Sequence, residues 1–156
     1  MRTKITLFIV LSILTLNIQA ATRYDMEQHA LIFPAENIAS SESNTGEVHL
    51  SILKDGGNTM ITNFRFSPGS RNFWHYHPNA EQTLLVLDGE GFYQEEGKEA
   101  IEMKPGDCIN IPAEVKHWHG AAADSWFSHL AVEVPGEETS NEWCEPVSDE
   151  EYGKLK

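Results

Sequence analysis

The chain has 156 residues, of which 24 are acidic and 11 are basic, and its formal net charge is -13. Such a chain lacks the excess of lysine and arginine with which proteins bind nucleic acids or anionic membrane surfaces, so we expect a small-molecule ligand instead. The length suits one domain with its own hydrophobic core rather than two.

Residues 1–20 have the pattern of a secretory signal peptide. Arg2 and Lys4 precede an apolar run over residues 5–18, and small residues follow around Ala20. The run is too short to span a membrane comfortably. We therefore predict cleavage near Ala20, export to the periplasm or the medium, and no membrane association afterwards. An uncleaved N-terminal anchor is the alternative.

Residues 21–46 have a mixed pattern that predicts an N-terminal extension or a peripheral strand, starting around residues 32–34. Beyond them, short alternating runs separated by turn residues predict a single all-β barrel over residues 47–134, with a hairpin turn at residues 55–58. Strands are predicted at residues 47–53, 59–66, 83–87, 92–94, 100–103, 108–111 and 125–134. Residues 135–156 are predicted to form an acidic C-terminal segment with little regular structure.

Two pairs of histidines stand out within the predicted barrel. His75 and His77 form one pair, and His117 and His119 form the other. Alternate residues of a strand point to the same face, so each pair directs two imidazoles to one side. Three imidazoles with one oxygen donor make a site that suits Mn, Fe, Co, Ni or Zn and can leave positions open for a substrate. For a single pair, an ordinary role as polar strand residues is the alternative.

The spacing around the histidines gives a more specific indication. A first block contains Gly69, His75, His77, Gln82 and Gly89, and a second block contains Gly106, Pro112 and His117. These spacings resemble the two characteristic motifs of the cupin superfamily, over most of residues 60–134. The resemblance implies a small jelly-roll β-barrel that holds one divalent metal, with His75, His77, Gln82 and His117 as its ligands. We favour manganese, with iron, zinc, cobalt and nickel as alternatives.

Two positions depart from the common cupin pattern. Gln82 stands where glutamate is usual, and Glu114 stands where the second motif usually has glycine. Glu81 is an alternative oxygen donor, but the spacing back from Gly89 favours Gln82. An amide in place of a carboxylate leaves the site one positive charge richer, which strengthens its action as a Lewis acid.

Within the superfamily the chain resembles the cupin-type hydroxynitrile lyases and the small cupins associated with carboxymuconolactone decarboxylase. The segments that carry this resemblance are residues 74–78, 82–86, 116–121, 128–131, Trp143 and 145–152. The resemblance implies that His119 and His129 act as acid and base beside the metal, because an unligated imidazole transfers protons near neutral pH. Apolar residues expected near the barrel interior, among them Phe73, Phe92 and Phe127, would suit an apolar substrate, and a purely structural role in the core is the alternative.

Other functions are compatible with the same ligands. A redox-active metal could activate dioxygen, which would make the protein a dioxygenase-type cupin. A binding protein without turnover is the third possibility, although it would not need an acid or base such as His119.

Two further expectations concern the cysteines and the oligomeric state. Cys108 and Cys144 could pair in an oxidising compartment, and a buried free thiol at Cys108 is the alternative. We also expect a homo-oligomer, a dimer or tetramer formed through sheet edges.

Overall fold

A computed structural model describes residues 32, 33 and 35–155 of the chain. The predicted signal peptide and its cleavage point near Ala20 lie outside the described residues. Within the described residues, no helix is long and apolar enough to cross a membrane.

One antiparallel sheet contains six strands: β1 (Asn37–Ile38), β3 (Val48–Lys54), β4 (Met60–Phe66), β7 (Ala80–Gly89), β10 (Cys108–Ile111) and β12 (Phe127–Pro135). Their order across the sheet is β1-β3-β4-β12-β7-β10. The peripheral strand β1 pairs with β3 and begins a few residues after the predicted start.

The second antiparallel sheet contains seven strands: β2 (Asn44–Thr45), β5 (Arg71–Asn72), β6 (His75–Tyr76), β8 (Gly91–Glu95), β9 (Ile101–Met103), β11 (His117–Ala121) and β13 (Glu142–Trp143). The path β13-β6-β11-β5-β2 runs across it, β8 also pairs with β11, and β9 pairs with β8. The two sheets confirm the predicted all-β jelly-roll, and each strand predicted within residues 47–134 corresponds to an observed strand.

The core lies between the two sheets and follows the alternation of the strands. On β7 the buried residues are Ala80, Gln82, Leu84 and Val86, while Glu81 is exposed between them. Each large apolar side chain buried in this way contributes about 1.5–3 kcal/mol. Both sheets contribute to the core cluster, which contains Val48, Phe66, Leu84, Val86, Tyr93, Met103, Ile111, Ala121, Phe127 and Ala131.

The C-terminal segment covers the outer side of β11. Trp118, which faces away from the core, packs in a second cluster with Trp74, Val147 and Tyr152. The Tyr152 hydroxyl, at the end of helix α1 (Asp149–Tyr152), donates to the carbonyl of Ala121 at 2.7 Å. Because both sides of β11 are covered, all five of its residues are buried, including its two histidines.

Both cysteines are free thiols. The alternative that placed Cys108 in the core is wrong, since this residue is exposed on β10 whereas Ile111 of the same strand is fully buried.

Candidate metal centre

Three of the predicted ligands meet inside the barrel. One ring nitrogen from each of His75, His77 and His117 lies within 4.8 Å of the others, and all three side chains are buried. β6 pairs with β11 so that His75 lies opposite His117. His77 follows the end of β6, and its ring stands at 86° to that of His75. The cluster has the donors and the spacing to hold one metal ion.

Backbone carbonyls fix the orientation of two of these rings. Nδ1 of His75 donates to the carbonyl of Phe73 at 2.9 Å, and Nδ1 of His117 donates to the carbonyl of Val115 at 2.8 Å. A carbonyl can only accept, so the proton lies on Nδ1 and the lone pair of Nε2 is left for a metal.

The third ring is oriented by a side chain that the sequence analysis missed. Nδ1 of His77 lies 2.6 Å from the amide oxygen of Asn141, which precedes β13. Trp143, which lies in β13 two residues after Asn141, packs against His75 with 4.7 Å between ring centroids and 33° between ring planes. No sequence signal pointed to Asn141, because it lies outside the histidine motifs and reaches the site only through the pairing of β13 with β6.

Buried polar atoms without partners show that these residues fit a metal. Nε2 of His77, Nε2 of His117 and Oε1 of Gln82 are buried and have no hydrogen-bond partner. Buried polar atoms are almost always satisfied, so three such atoms among the predicted ligands indicate that something else completes them. A divalent cation can accept lone pairs from imidazole nitrogens and from an amide oxygen at one site.

The two candidate oxygen donors lie on opposite faces of β7. Gln82 is 3% exposed and faces the barrel interior, whereas Glu81 is exposed to solvent. The geometry therefore favours Gln82, and its role as fourth ligand stays a prediction.

We expect Gln82→Ala to weaken metal affinity about tenfold or more, and Glu81→Ala to leave it close to that of the wild type. The reason is that, of these two residues, Gln82 presents a buried oxygen with no hydrogen-bond partner, whereas Glu81 is exposed. Competition titration against a chromophoric chelator measures both affinities. A larger loss in the Glu81 variant would assign the ligand to that carboxylate.

The unusual Glu114 supports the turn that carries His77. Its φ of 66° lies in the left-handed region, which explains why glycine is common at this position. Its backbone N–H donates to the carbonyl of His77 at 3.2 Å. Its side chain accepts from the backbone N–H of Asn79 at 3.1 Å, and this contact offsets part of the cost of the conformation.

The two predicted acid/base histidines lie together beside the cluster. Nε2 of His129 is 3.2 Å from Nδ1 of His119. The ring centroid of His119 is 6.0 Å from that of His117 and 5.7 Å from that of His75. Asn72, which the sequence analysis did not single out, holds His119 from the other side: its amide nitrogen lies 3.0 Å from Nε2, and its oxygen accepts from the backbone N–H of His119.

Burial keeps the imidazoles of His75, His117, His119 and His129 neutral at pH 7. It lowers the pKa of His75 and of His119 well below the ordinary value, and neighbouring imidazoles lower both further. Burial also lowers the pKa of His117 and of His129 to about 4. A neutral imidazole is the form that binds a metal or accepts a proton.

The apolar wall of the site differs from the prediction. Phe127 surrounds His129 together with Phe64 and Phe66, at ring distances of 5.4, 5.6 and 5.7 Å. Phe92 is not part of this wall, because it packs against the cluster around Trp118 on the other side of β11. Phe73 is only half-buried, and its backbone carbonyl accepts from Nδ1 of His75.

Burial of His129 predicts that acid destabilises the metal-free protein. Between the ordinary pKa of 6.5 and the folded value of about 4, the unfolded chain binds a proton that the folded chain does not. The contribution of neutral His129 to the free energy of unfolding is therefore fully present above pH 6.5. It is lost as the pH falls towards 4, by about 3 kcal/mol for this residue alone. Urea unfolding with a chelator across this range should show the slope, and His129→Gln should reduce it. An unchanged slope in the variant would contradict the assignment.

Comparison with known proteins agrees with this geometry. Residues 62–133 match the family described as the cupin domain. Over 87 residues the chain is 42% identical to (R)-mandelonitrile lyase from Granulicella tundricola, covering 56% of this chain and 66% of that protein. Over 113 residues it is 30% identical to a germin-like protein from Arabidopsis thaliana, covering 64% of this chain and 53% of the relative. The chain thus spans just under two thirds and about half of these two relatives.

A solved structure extends the likeness over most of the chain. The crystal structure of a cupin-like protein from Thermotoga maritima is 40% identical and superposes with a TM-score of 0.76, covering 80% of this chain and 96% of that one. The chain belongs to the cupin family. Within that family it is a small cupin that resembles the hydroxynitrile lyases.

Proposed function

We propose that this protein is an exported, metal-dependent cupin that cleaves cyanohydrins into a carbonyl compound and hydrogen cyanide. The observation that carries the proposal is the neutral His119–His129 pair, buried in contact with the three-histidine cluster. The 42% identity to an (R)-mandelonitrile lyase supports the same chemistry. Export rests on the sequence of residues 1–20.

A divalent metal held by His75, His77, His117 and Gln82 would supply Lewis acidity towards the substrate oxygen. All four donors are neutral, so they leave the positive charge of the ion uncompensated. We propose manganese, with iron, zinc, cobalt and nickel as the other candidates.

The proton transfers fall to the two histidines that do not belong to the cluster. His119 accepts the hydroxyl proton, and the electron pair left on oxygen forms the carbonyl double bond. The carbon–carbon bond to the nitrile breaks, and its electron pair leaves on cyanide. The His119–His129 pair then returns the proton to cyanide, so that hydrogen cyanide is released. No oxidation state changes and no co-reactant is needed.

The walls of the site suit an apolar substituent on the substrate. Phe64, Phe66 and Phe127 surround His129, and none of them offers a polar atom from its side chain. Apolar walls with a few converging polar groups are typical of small-molecule sites. We therefore expect aromatic cyanohydrins to be better substrates than short aliphatic ones.

Assays of the metal-loaded protein with mandelonitrile test the proposal, with aldehyde and cyanide release and oxygen uptake followed together. Equal amounts of aldehyde and cyanide without oxygen uptake are expected. Substrate-dependent oxygen consumption would replace the proposal with a dioxygenase-type cupin. Bound metal with no turnover of any cyanohydrin would indicate a protein that only binds small ligands.

We also propose a dimer or tetramer. β1 and β10 are the outer strands of the six-stranded sheet, and edge strands are common sites of pairing between copies. Light scattering of the purified protein measures the oligomeric state, and a monomer at micromolar concentration would contradict the proposal.

A further inference from the structure

The side-chain amide of Gln82 is hydrogen-bonded at its nitrogen but not at its oxygen. Its amide nitrogen donates to Oε1 of Glu133 at 3.0 Å, and its amide oxygen is buried without a hydrogen-bond partner. Glu133 lies on β12 directly opposite Gln82 on β7, so the pairing of the two strands brings the side chains together.

The chemistry of this pair decides which end of the amide faces the barrel. A carboxylate has no proton to donate, so Glu133 selects the NH₂ group of Gln82 and turns the oxygen away from itself. Glu133 is half-buried and lines a surface cavity together with Asp55 and Thr59. The carboxylate therefore stands between the solvent and the interior amide, and the amide oxygen is left on the interior side.

The geometry points to Glu133 as a positioning residue for the fourth metal ligand. Its carboxylate orients the Gln82 oxygen inward and also makes this position suited to an amide rather than a carboxylate. A glutamate at position 82 would bring two carboxylates into the contact that now measures 3.0 Å, and like charges at that distance repel. The departure from the usual cupin ligand is thus explained by a residue on a neighbouring strand.

The positioning role rests on the proposed metal site, and it is tested by metal affinity rather than by turnover. Co²⁺ serves as the probe, because its visible absorption responds to the donor set. We expect Glu133→Leu to raise the Kd about tenfold and to alter the spectrum, since the amide loses the acceptor that orients it. Glu133→Gln keeps an acceptor oxygen and should restore both the Kd and the spectrum to near the wild-type values.

Two controls separate orientation from charge. Glu81→Leu removes an equal charge from the exposed face of β7, and it should leave Co²⁺ binding unchanged. In a Gln82→Leu background, Glu133→Leu should cause no further loss of affinity. Equal weakening by Glu133→Leu and Glu133→Gln, or by Glu81→Leu, would overturn the positioning role. A wild-type protein that binds no Co²⁺ would overturn the metal site itself.

A metal-free measurement tests the pairing of residues 82 and 133 independently of the metal site. Gln82→Glu alone should lower the melting temperature by several degrees, because it creates the carboxylate pair. Adding Glu133→Gln should restore most of the loss, since a donor and an acceptor face each other again. A Gln82→Glu variant as stable as the wild type, or one that Glu133→Gln does not rescue, would overturn the explanation for the amide.

Discussion

A variant in which both His75 and His117 are replaced by alanine will retain no metal above background, and His117→Ala alone will lose at least about a hundredfold in affinity. The two rings lie opposite each other on paired strands, with centroids 4.2 Å apart. Each presents an Nε2 whose orientation is set by a carbonyl behind it. Removing a ligand should cost at least as much as the tenfold to hundredfold that loss of an orienting partner typically costs.

Elemental analysis of protein purified without added metal or chelator measures the effect. His49→Ala is a suitable control, because His49 lies on β3, pairs with Glu47 and takes no part in the cluster. Stoichiometric metal in the double variant would contradict the proposed metal site. Loss of metal in the His49 variant would point to nonspecific binding.

Replacing His119 gives the second large effect, and it should separate catalysis from metal binding. His119→Ala is expected to keep the metal and to lower the rate of cyanohydrin cleavage about 10² to 10⁴-fold, the usual contribution of a positioned acid or base. The expectation follows from the hydrogen-bond partners of this ring. Its two nitrogens lie near His129 and Asn72, so neither is committed to the cluster.

The matched variant is His119→Gln, which can hydrogen-bond to Asn72 but cannot carry a proton between reacting atoms. Its rate should be as low as that of His119→Ala while its metal content stays at the wild-type level. A His119→Ala variant that loses metal as completely as His117→Ala would show that the division of roles between the two residues is wrong. Near wild-type rates in both variants would show that a residue other than His119 is the acid or base.

The strands predicted from the sequence are present in the structure, because the pattern that predicts a strand involves only residues within that strand. Alternation between apolar and polar residues determines which side chains face the core, as on β7, where Gln82 is buried and Glu81 is exposed. The same alternation places His117 and His119 on one face of β11, and the spacing of the motifs predicted that His75 and His77 join them. The assignment of these residues as ligands stays a prediction, as do the signal peptide, the export and the identity of the metal.

The errors and omissions concern contacts between segments far apart in the chain. Phe92 was expected near the site, but it packs with Trp118 and with residues of the C-terminal segment on the other side of β11. Phe64 and Phe66 contact His129 instead, because β4 pairs with β12 and brings them beside it. A strand pattern shows that a residue faces inward, and it does not show which residue of another strand it meets.

The sequence by itself thus determined the all-β class, the motif spacing and the set of histidines that could hold a metal. Only the tertiary structure decided how those side chains are oriented, through Asn141 behind His77, Glu133 behind Gln82, and Asn72 beside His119. The physical reason is that the periodicity of a strand depends only on residues that are neighbours in the sequence. A hydrogen-bond partner depends instead on strand register and on the path of the C-terminal segment. These are properties of the folded chain as a whole.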